Sequence, residues 1–364
     1  MSHPSTHLKP EWVKIIREAV PAAEKAGMLQ PSQLELVHEQ GWFKFLVPEV
    51  YGGLQLSLPD MVRLEESLAW ANGSLGWVVT LCAGAGWFGG FLSPGIAPLI
   101  FAHPLLCLAG SGAATGTATI TEGGYLINGH WNYASGVHHA THLTANCIIK
   151  QGEETVLNDD GTPLILPFIF DRKDVSLISA WKFMGMMGTG SDAYEVHNLF
   201  VEKNRCFKID PDNAAIGGPL YQYPFMQLAE ATLAANISGM AVHFTDLCAA
   251  VFDEKPENKY LNANRRANIK QLHEKLTGRL NAARLEFYST VDASWQGALM
   301  GKATQLQQIG QSSRKLARTA RECVDELYPY CGLQAANPDT ELNQVWRDLH
   351  TASQHSLLVF DLFS

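Results

Sequence analysis

The residue pattern of this chain changes twice along its length, and these changes constrain the fold more than any single motif. Up to about residue 106, apolar side chains recur at helical spacing. Strand-forming residues and frequent glycines replace that spacing from Cys107 onwards, and helical periodicity returns near residue 222. The sequence therefore predicts an N-terminal α-helical domain over residues 1–106, a middle antiparallel β-domain over 107–221 and a C-terminal helical bundle over 222–364.

The last region predicts an antiparallel four-helix bundle. Its helical stretches run from Phe225 to about Phe252, from Lys259 to about Val291, from Ala293 to about Tyr330 and from Leu342 to Phe360. On the last helix, Asp348, Thr351 and His355 would share one face. His350 would point about 140° away from His355, so the two histidines cannot form a metal pair, and no metal site is expected.

Two helices of the first region are marked by their ends and their polarity. The first begins at Pro59 and ends at Asn72-Gly73, and we expect Arg63, Glu65 and Glu66 on its outward face. The second, capped by Ser74, is apolar on all sides over residues 75–88. Glycines interrupt this run, and it is too short for a membrane span, so it predicts a buried helix.

Composition and charge disfavour several kinds of partner. With 46% hydrophobic and 17% charged residues over 364 positions, the chain has the composition of a soluble globular protein. Its net charge of -9 argues against nucleic acid or an anionic membrane as a main partner. Seven cysteines without a CxxC motif indicate free thiols, and the polar first residues lack the pattern of a signal peptide. We therefore expect a cytoplasmic protein.

The segment Gly123–His142 has the residues of a hairpin followed by a flat, accessible strand. Gly123-Gly124 and Asn128-Gly129 are turn dipeptides, and a strand over 131–135 would follow them. Small residues at Ala134 to Gly136 would let a flat ligand approach the backbone, with the Ser135 hydroxyl facing it. These residues alone equally permit a plain hairpin with a polar end.

Two other glycine-rich segments are candidate ligand contacts, and the second is the stronger candidate. The run from Gly110 to Gly116 is similar to a dinucleotide-binding loop, but the strand-forming residues 117–121 follow it where a helix is required. A Rossmann site is therefore excluded. The second segment ends in Thr189, Gly190 and Ser191, whose hydroxyls and open backbone N–H groups suit a ligand edge or a phosphate. A glycine-rich connection between strands is the alternative.

Three motifs together resemble the acyl-CoA dehydrogenase superfamily. They are Gly-x-Trp-x-Tyr-Ala-Ser-Gly over 129–136, Trp-x-x-x-Gly-x-x-x-Thr-Gly-Ser over 181–191, and a Trp-Arg-Asp run from Trp346 that ends at His355. Pro-Glu-x-Tyr-Gly-Gly over 48–53 is similar to a further signature of the superfamily. The resemblance is closest to the flavin-dependent monooxygenase branch typified by the oxygenase component of 4-hydroxyphenylacetate 3-hydroxylase.

This resemblance implies a function and a set of site residues. It implies FMN or FAD, delivered in reduced form by a separate reductase, which reacts with O2 and a small organic substrate. The Ser135 hydroxyl would contact flavin N5, and His355 would steady or protonate the flavin peroxide. The implied cofactor-binding residues are Ser111, Tyr133, Ser135, Gly136, Thr189, Gly190 and Ser191. The superfamily also implies a homotetramer in which a neighbouring bundle completes each flavin site.

The sequence departs from the dehydrogenases of this superfamily at the positions of the catalytic base. The two positions that carry the base glutamate correspond to Ser356 and Ala229, and neither is a carboxylate. Glu230 lies one residue further, which rotates its side chain by about 100°. No Arg-x-x-Phe-Gly segment follows Gly239 to hold an FAD diphosphate. A dehydrogenase with a relocated base and a degenerate, ligand-binding member without turnover remain the alternatives to the monooxygenase.

A second departure concerns the substrate. Several monooxygenases of this branch carry a histidine near the apolar helix that deprotonates a phenol. This chain has no histidine between His38 and His103. Phenol hydroxylation is therefore disfavoured, and the sequence does not name the substrate.

Overall fold

A computed structural model describes residues 2–254 and 262–359 of the chain. Helices occupy the first hundred residues, a seven-stranded sheet follows, and long helices make up the rest. The N-terminal helices are α1 (Pro10–Glu18), α2 (Val20–Ala26), α3 (Pro31–Glu39), α4 (Leu58–Ala71), α5 (Gly73–Gly86) and α6 (Ala97–Phe101). One hydrophobic core joins these helices to the C-terminal ones, and a second core lies under the sheet around Ile127, Trp131 and Phe168.

A side-chain cap begins each of the helices α4 and α5, and the cap predicted from the sequence for α5 is wrong. Ser57 accepts from the backbone N–H of Asp60 at the start of α4. Asn72, not Ser74, caps α5 by accepting from the N–H of Leu75. Helix α5 is buried along almost its whole length, as its apolar pattern predicts.

The outward orientation expected for two carboxylates of α4 is wrong. Glu65 and Glu66 are 0% and 3% exposed, and Arg63 is half-buried. The long helices of the C-terminal region cover this face of α4, and Glu66 there binds the buried guanidinium of Arg284 through two hydrogen bonds of 2.7 and 2.8 Å. A single helix pattern cannot show which second surface a polar face will meet.

The sheet carries one parallel pair within an otherwise antiparallel arrangement. Its strands are β1 (Leu108–Thr121), β2 (Gly124–Trp131), β3 (His142–Gln151), β4 (Glu154–Thr155), β5 (Ile165–Asp171), β6 (Ser176–Ile178) and β7 (Ala193–Glu202). They lie in the order β4-β3-β1-β2-β7-β6, with β5 paired to β3. β1 and β3 run parallel because the segment over 132–141 carries the chain from one side of β1 to the other.

The predicted hairpin is correct at one turn and wrong at the other. Gly123-Gly124 joins β1 to β2, with Gly123 at φ +77°. Asn128-Gly129 makes no turn: β2 continues through it with a register shift against β7. β2 ends at Trp131, so the expected strand over 131–135 is instead a loop. The residues after Gly110 are strand, which agrees with the exclusion of a Rossmann site.

The C-terminal helices differ from the predicted bundle in their bounds. After the short α7 (Pro219–Gln222) come α8 (Phe225–Glu254), α9 (Ala263–Leu299), α10 (Leu306–Cys331) and α11 (Glu341–Ala352). The break expected between Val291 and Ala293 is absent because α9 continues to Leu299. α11 ends at Ala352, and a single 3-10 turn over Ser356–Leu358 follows. The predicted helix start at Lys259 and helix end at Phe360 lie outside the described residues.

Within the described residues, one helix is long and apolar enough to cross a membrane, over Phe225–Asp253. Of its apolar window, 72% is buried inside the protein, as is usual for the central helix of a helical core.

Candidate active site

Helix α5 contacts all three segments that carry the motifs. The thiol of Cys82 lies 3.6 Å from the Ser135 carbonyl oxygen. A Cβ placed on Gly188, in the second motif, would lie 3.3 Å from Cβ of Ser74. The rings of Trp77 and His355 lie 6.0 Å apart, edge to face. The fold therefore gathers the sequence-predicted residues around one face of a buried helix.

Three of those residues form a buried cluster of hydroxyls. Ser135 Oγ lies 2.8 Å from Ser191 Oγ, which lies 2.6 Å from Thr189 Oγ1. Thr189 Oγ1 donates its only proton to the carbonyl of Met186. In the contact between Thr189 and Ser191, Thr189 can therefore only accept. Both hydroxyl contacts are made when Ser191 donates to Thr189 and Ser135 donates to Ser191, so the Ser135 oxygen keeps a lone pair that can accept a hydrogen bond from a ligand.

Two glycines let the motif loops approach their neighbours. Gly136 lies at φ +76°, and a Cβ there would meet the Cys82 sulfur at 2.7 Å. Its N–H donates to the Thr189 carbonyl at 2.8 Å, which joins the two loops. Gly190 lies at φ +56°, and a Cβ there would meet the ring of His138 at 2.8 Å. At both positions a larger residue would have an unfavourable backbone conformation, and its Cβ would collide with a neighbouring side chain.

Tyr133 and Ser111 are the less buried of the predicted cofactor-binding residues. Tyr133 is 42% exposed and packs edge-on against Trp181 and Phe183, with ring centroids 5.3 and 5.7 Å away. The indole N–H of Trp181 is buried without a partner among the described residues. Ser111 is half-buried, and its hydroxyl donates to the Asn132 carbonyl at 2.7 Å. Together they give aromatic surfaces and an unused donor beside the cluster.

The Arg-Asp pair of the third motif holds the second motif loop, a role that the sequence reasoning missed. The Asp348 carboxyl is fully buried and accepts from the backbone N–H of Met186 and, at 2.7 Å, from the Gln344 amide. Arg347 donates to the Met184 carbonyl and pairs with Glu24 at 3.2 Å. The sequence held one indication of this contact, namely that the second and third motifs occur in the same chain.

Burial raises the pKa of the Asp348 carboxyl to about 7, against the lowering effect of the Met186 and Gln344 hydrogen bonds.

His355 is not on a helix, so the prediction that it shares a helix face with Asp348 and Thr351 is wrong. α11 ends at Ala352, and the backbone of His355 is extended. The predicted 140° separation between His350 and His355 does not apply either, because only His350 lies on α11. Nδ1 of His355 accepts from the N–H of Leu357 at 3.3 Å, and burial lowers the pKa of the ring. A neutral ring with an accepting Nδ1 carries its proton on Nε2, where it can be donated.

A strip of partly exposed residues runs along the second half of α5 and into the 3-10 turn that follows it. Leu81, Gly84 and Phe88, at spacings of three and four, are half-buried within an otherwise buried segment. A Cβ at Gly84 would meet nothing within 4 Å. Phe88 packs on Phe225 of α8 with centroids 5.6 Å apart, and Trp77 lies one turn before Leu81. These residues form a partly exposed apolar strip, and the neighbouring Trp77 ring contacts His355.

The comparisons with known proteins agree with this geometry. The family model described as Acyl-CoA dehydrogenase, C-terminal domain, matches residues 231–360. The structure of XiaF from Streptomyces sp. in complex with FADH2 and glycerol superposes with a TM-score of 0.86, at 20% identity, over 96% of this chain and 89% of that one. The chain has the acyl-CoA dehydrogenase fold.

Two curated relatives match nearly the whole chain in sequence. The oxygenase subunit HsaA of a flavin-dependent monooxygenase from Mycobacterium tuberculosis is 25% identical, over 94% of this chain and 88% of its own length. The oxygenase component of p-hydroxyphenylacetate 3-hydroxylase from Acinetobacter baumannii is 22% identical, over 94% and 82%. The resemblance to the acyl-CoA dehydrogenase superfamily, and within it to two-component monooxygenases, is confirmed.

The residues present fit a flavin. An isoalloxazine ring is flat and largely apolar, with hydrogen-bonding groups at one edge, and the site offers aromatic surfaces beside buried hydroxyls. Two buried polar atoms there, Nε1 of Trp181 and Oγ of Ser74, lack partners among the described residues. Within those residues no group of His, Cys, Asp and Glu side chains is arranged to hold a metal ion.

Proposed function

We propose that this protein is the oxygenase component of a two-component flavin monooxygenase, which uses reduced FMN or FAD and O2 to oxidise a small organic substrate. The observation that carries the proposal is the meeting of the first two motif loops in one buried hydroxyl cluster, Ser135, Thr189 and Ser191, against helix α5. The likeness to oxygenase subunits over almost the whole chain supports the same function.

The chain's own residues would serve this chemistry in distinct ways. Reduced flavin, when bound, supplies the electrons that activate O2 for transfer of one oxygen atom to the substrate. Ser135 would accept a hydrogen bond from the N5–H group of the reduced flavin, and Thr189 and Ser191 would keep that hydroxyl oriented. Helix α5 would close the site from water on one side. Nε2 of His355 would donate its proton toward the reacting oxygen.

A dehydrogenase is a weaker candidate on the same geometry. Ala229 provides no base, and Ser356 lies in the 3-10 turn after α11. Glu230, the adjacent carboxylate on α8, pairs with Arg314 at 2.6 Å. Removal of a substrate proton would need a carboxylate free to accept it, and this one is engaged.

The proposal includes partners and a location. A separate reductase would deliver the reduced flavin, and a homotetramer would complete each flavin site with a neighbouring subunit. If that assembly forms, light scattering at micromolar concentration should report about four times the chain mass of 40.0 kDa. A strictly monomeric mass would contradict it. The absence of a disulfide among the seven cysteines, all of which lie in the described residues, is consistent with a cytoplasmic protein.

The activity is tested by titrating the protein anaerobically with reduced FMN or FAD and then admitting O2 with a panel of small aromatic compounds. Binding of reduced flavin and formation of an oxygenated product would support the monooxygenase. Tight binding of oxidised FAD that an acyl-CoA bleaches would establish the dehydrogenase. No flavin binding in either state would indicate a degenerate member.

A further inference from the structure

The carboxylate of Asp192, the residue between the second motif and β7, holds the backbone at the start of that motif. Its Oδ1 accepts from the N–H of Ala180 at 2.7 Å and from the N–H of Trp181 at 3.0 Å. These two residues lie outside every helix and strand, so their N–H groups have no regular backbone partner. One carboxylate oxygen therefore determines where the Trp181 backbone lies.

The same residue binds the loop of the first motif at two points. Nε2 of His138 donates to Oδ2 of Asp192 at 2.9 Å, and the Asp192 carbonyl accepts from the N–H of Ala134 at 3.0 Å. Burial acts to raise the pKa of the Asp192 carboxyl, but its three hydrogen bonds outweigh this effect and hold that pKa below its ordinary value. The side chain is only 16% exposed, so its three donors are bonded to a largely buried negative charge.

The backbone that Asp192 holds carries aromatic side chains of the candidate site. The Trp181 ring lies 5.3 Å from the ring of Tyr133 and 4.5 Å from that of Phe183, measured between centroids. Tyr133 belongs to the first motif, and Ser191 of the hydroxyl cluster directly precedes Asp192 in the chain. Asp192 therefore connects the aromatic rings to the hydroxyls through bonds on both sides.

We infer that Asp192 is a positioning residue for the flavin site, which fixes the Trp181 ring relative to the hydroxyls of Ser135 and Ser191. The inference rests on the proposed function for the identity of the ligand. Asp192 acts through these groups, because both of its carboxylate oxygens are already bonded to the protein. A rigid, flat ring is sensitive to such support, since a site that is about 1 Å too loose no longer matches it.

The first test follows Trp181 itself and needs no flavin. The chain has nine tryptophans, and ¹⁹F NMR of protein labelled with 5-fluorotryptophan gives each of them a resonance, of which Trp181→Phe removes one. Asp192→Ala should shift and broaden the Trp181 resonance more than the others, because the backbone there loses its acceptor. Asp192→Asn keeps an amide oxygen for the two N–H groups and should restore the wild-type resonance.

The second test measures the affinity for reduced FMN and reduced FAD by anaerobic titration. Asp192→Ala should weaken binding of the flavin that the wild-type protein prefers by about 10-fold or more, whereas Asp192→Asn should stay within about 3-fold of wild type. Failure of the wild-type protein to bind either flavin would refute the proposed function alone, because the Trp181 resonance still tests the inference.

Asp171→Ala is the matched control. The Asp171 carboxylate, at the end of β5, also pairs with a histidine, His142 at 3.5 Å, and with Arg205 at 2.9 Å, but it holds no residue of the three motifs. The control should leave both the Trp181 resonance and the flavin affinity unchanged.

A further variant guards against a folding failure of Asp192→Ala. His138→Ala removes one donor of the carboxylate from a more exposed side chain and should shift the Trp181 resonance by a smaller amount. The inference is refuted if this resonance keeps its wild-type position in whichever of the two variants folds. An equal shift in Asp171→Ala, or a shift in Asp192→Asn as large as in Asp192→Ala, would also refute it.

Discussion

The buried carboxyl of Asp348 allows a quantitative test of how the third motif supports the site. Its folded-state pKa of about 7 lies above its ordinary value of 3.8. Between these two values the folded protein binds more protons at this group than the unfolded chain, so the group's contribution to stability falls as pH rises. A change of this size corresponds to about 3 kcal/mol between pH 4 and pH 7.

Asp348→Asn should remove this dependence while it keeps the hydrogen bond. The asparagine oxygen can still accept from the Met186 N–H, and the Gln344 amide can turn its oxygen toward the new NH2 group. Relative to the wild-type protein, the variant should therefore gain about 3 kcal/mol in free energy of unfolding between pH 4 and pH 7. Urea unfolding at pH 4, 5, 6 and 7 measures this difference.

Asp348→Ala separates the hydrogen bond from the charge. It leaves the buried Met186 N–H unpaired, which should cost about 1–3 kcal/mol relative to Asp348→Asn at every pH. The loop that carries Thr189 should loosen, so reduced flavin should also bind more weakly. Asp159→Asn, at an exposed position between β4 and β5, is the control and should follow the wild-type pH profile. A stability difference between Asp348→Asn and wild type that stays constant with pH would refute the reasoning.

Three other substitutions test the remaining parts of the site and its support. His355→Ala should leave the affinity for reduced flavin nearly unchanged but lower the rate of substrate oxygenation by about 10²–10⁴-fold, whereas His350→Ala should change it little; equal rates in the two variants would make His355 structural. Gly136→Ala, at φ +76°, should destabilise the protein by about 1–2 kcal/mol or more in thermal unfolding. Glu66→Ala leaves the Arg284 charge buried and unpaired, so it should cost about 3–5 kcal/mol, and a loss below 1 kcal/mol would contradict this.

Local sequence determined the features that depend on near neighbours. The Gly123-Gly124 turn follows from the positive φ of Gly123, and the strand after Gly110 follows from its β-branched residues. The buried α5 follows from an apolar pattern with no polar face. The hydroxyls of Ser135 and Ser191 were recognised because two motifs placed them among small residues, the first in a predicted strand and the second in a glycine-rich segment, and the structure brings them within 2.8 Å.

Only the tertiary structure decided features that depend on which surfaces meet. Glu65 and Glu66 are spaced like solvent-facing residues, but the C-terminal helices cover them, and Arg284 approaches from 218 residues away along the chain. His355 lies outside the predicted helix because α11 ends at Ala352. Its ring packs against Trp77 of α5, which is distant in sequence. Hydrophobic periodicity reports that a face will be buried, but the partner, and hence the chemistry of that face, is set by packing between segments far apart in sequence.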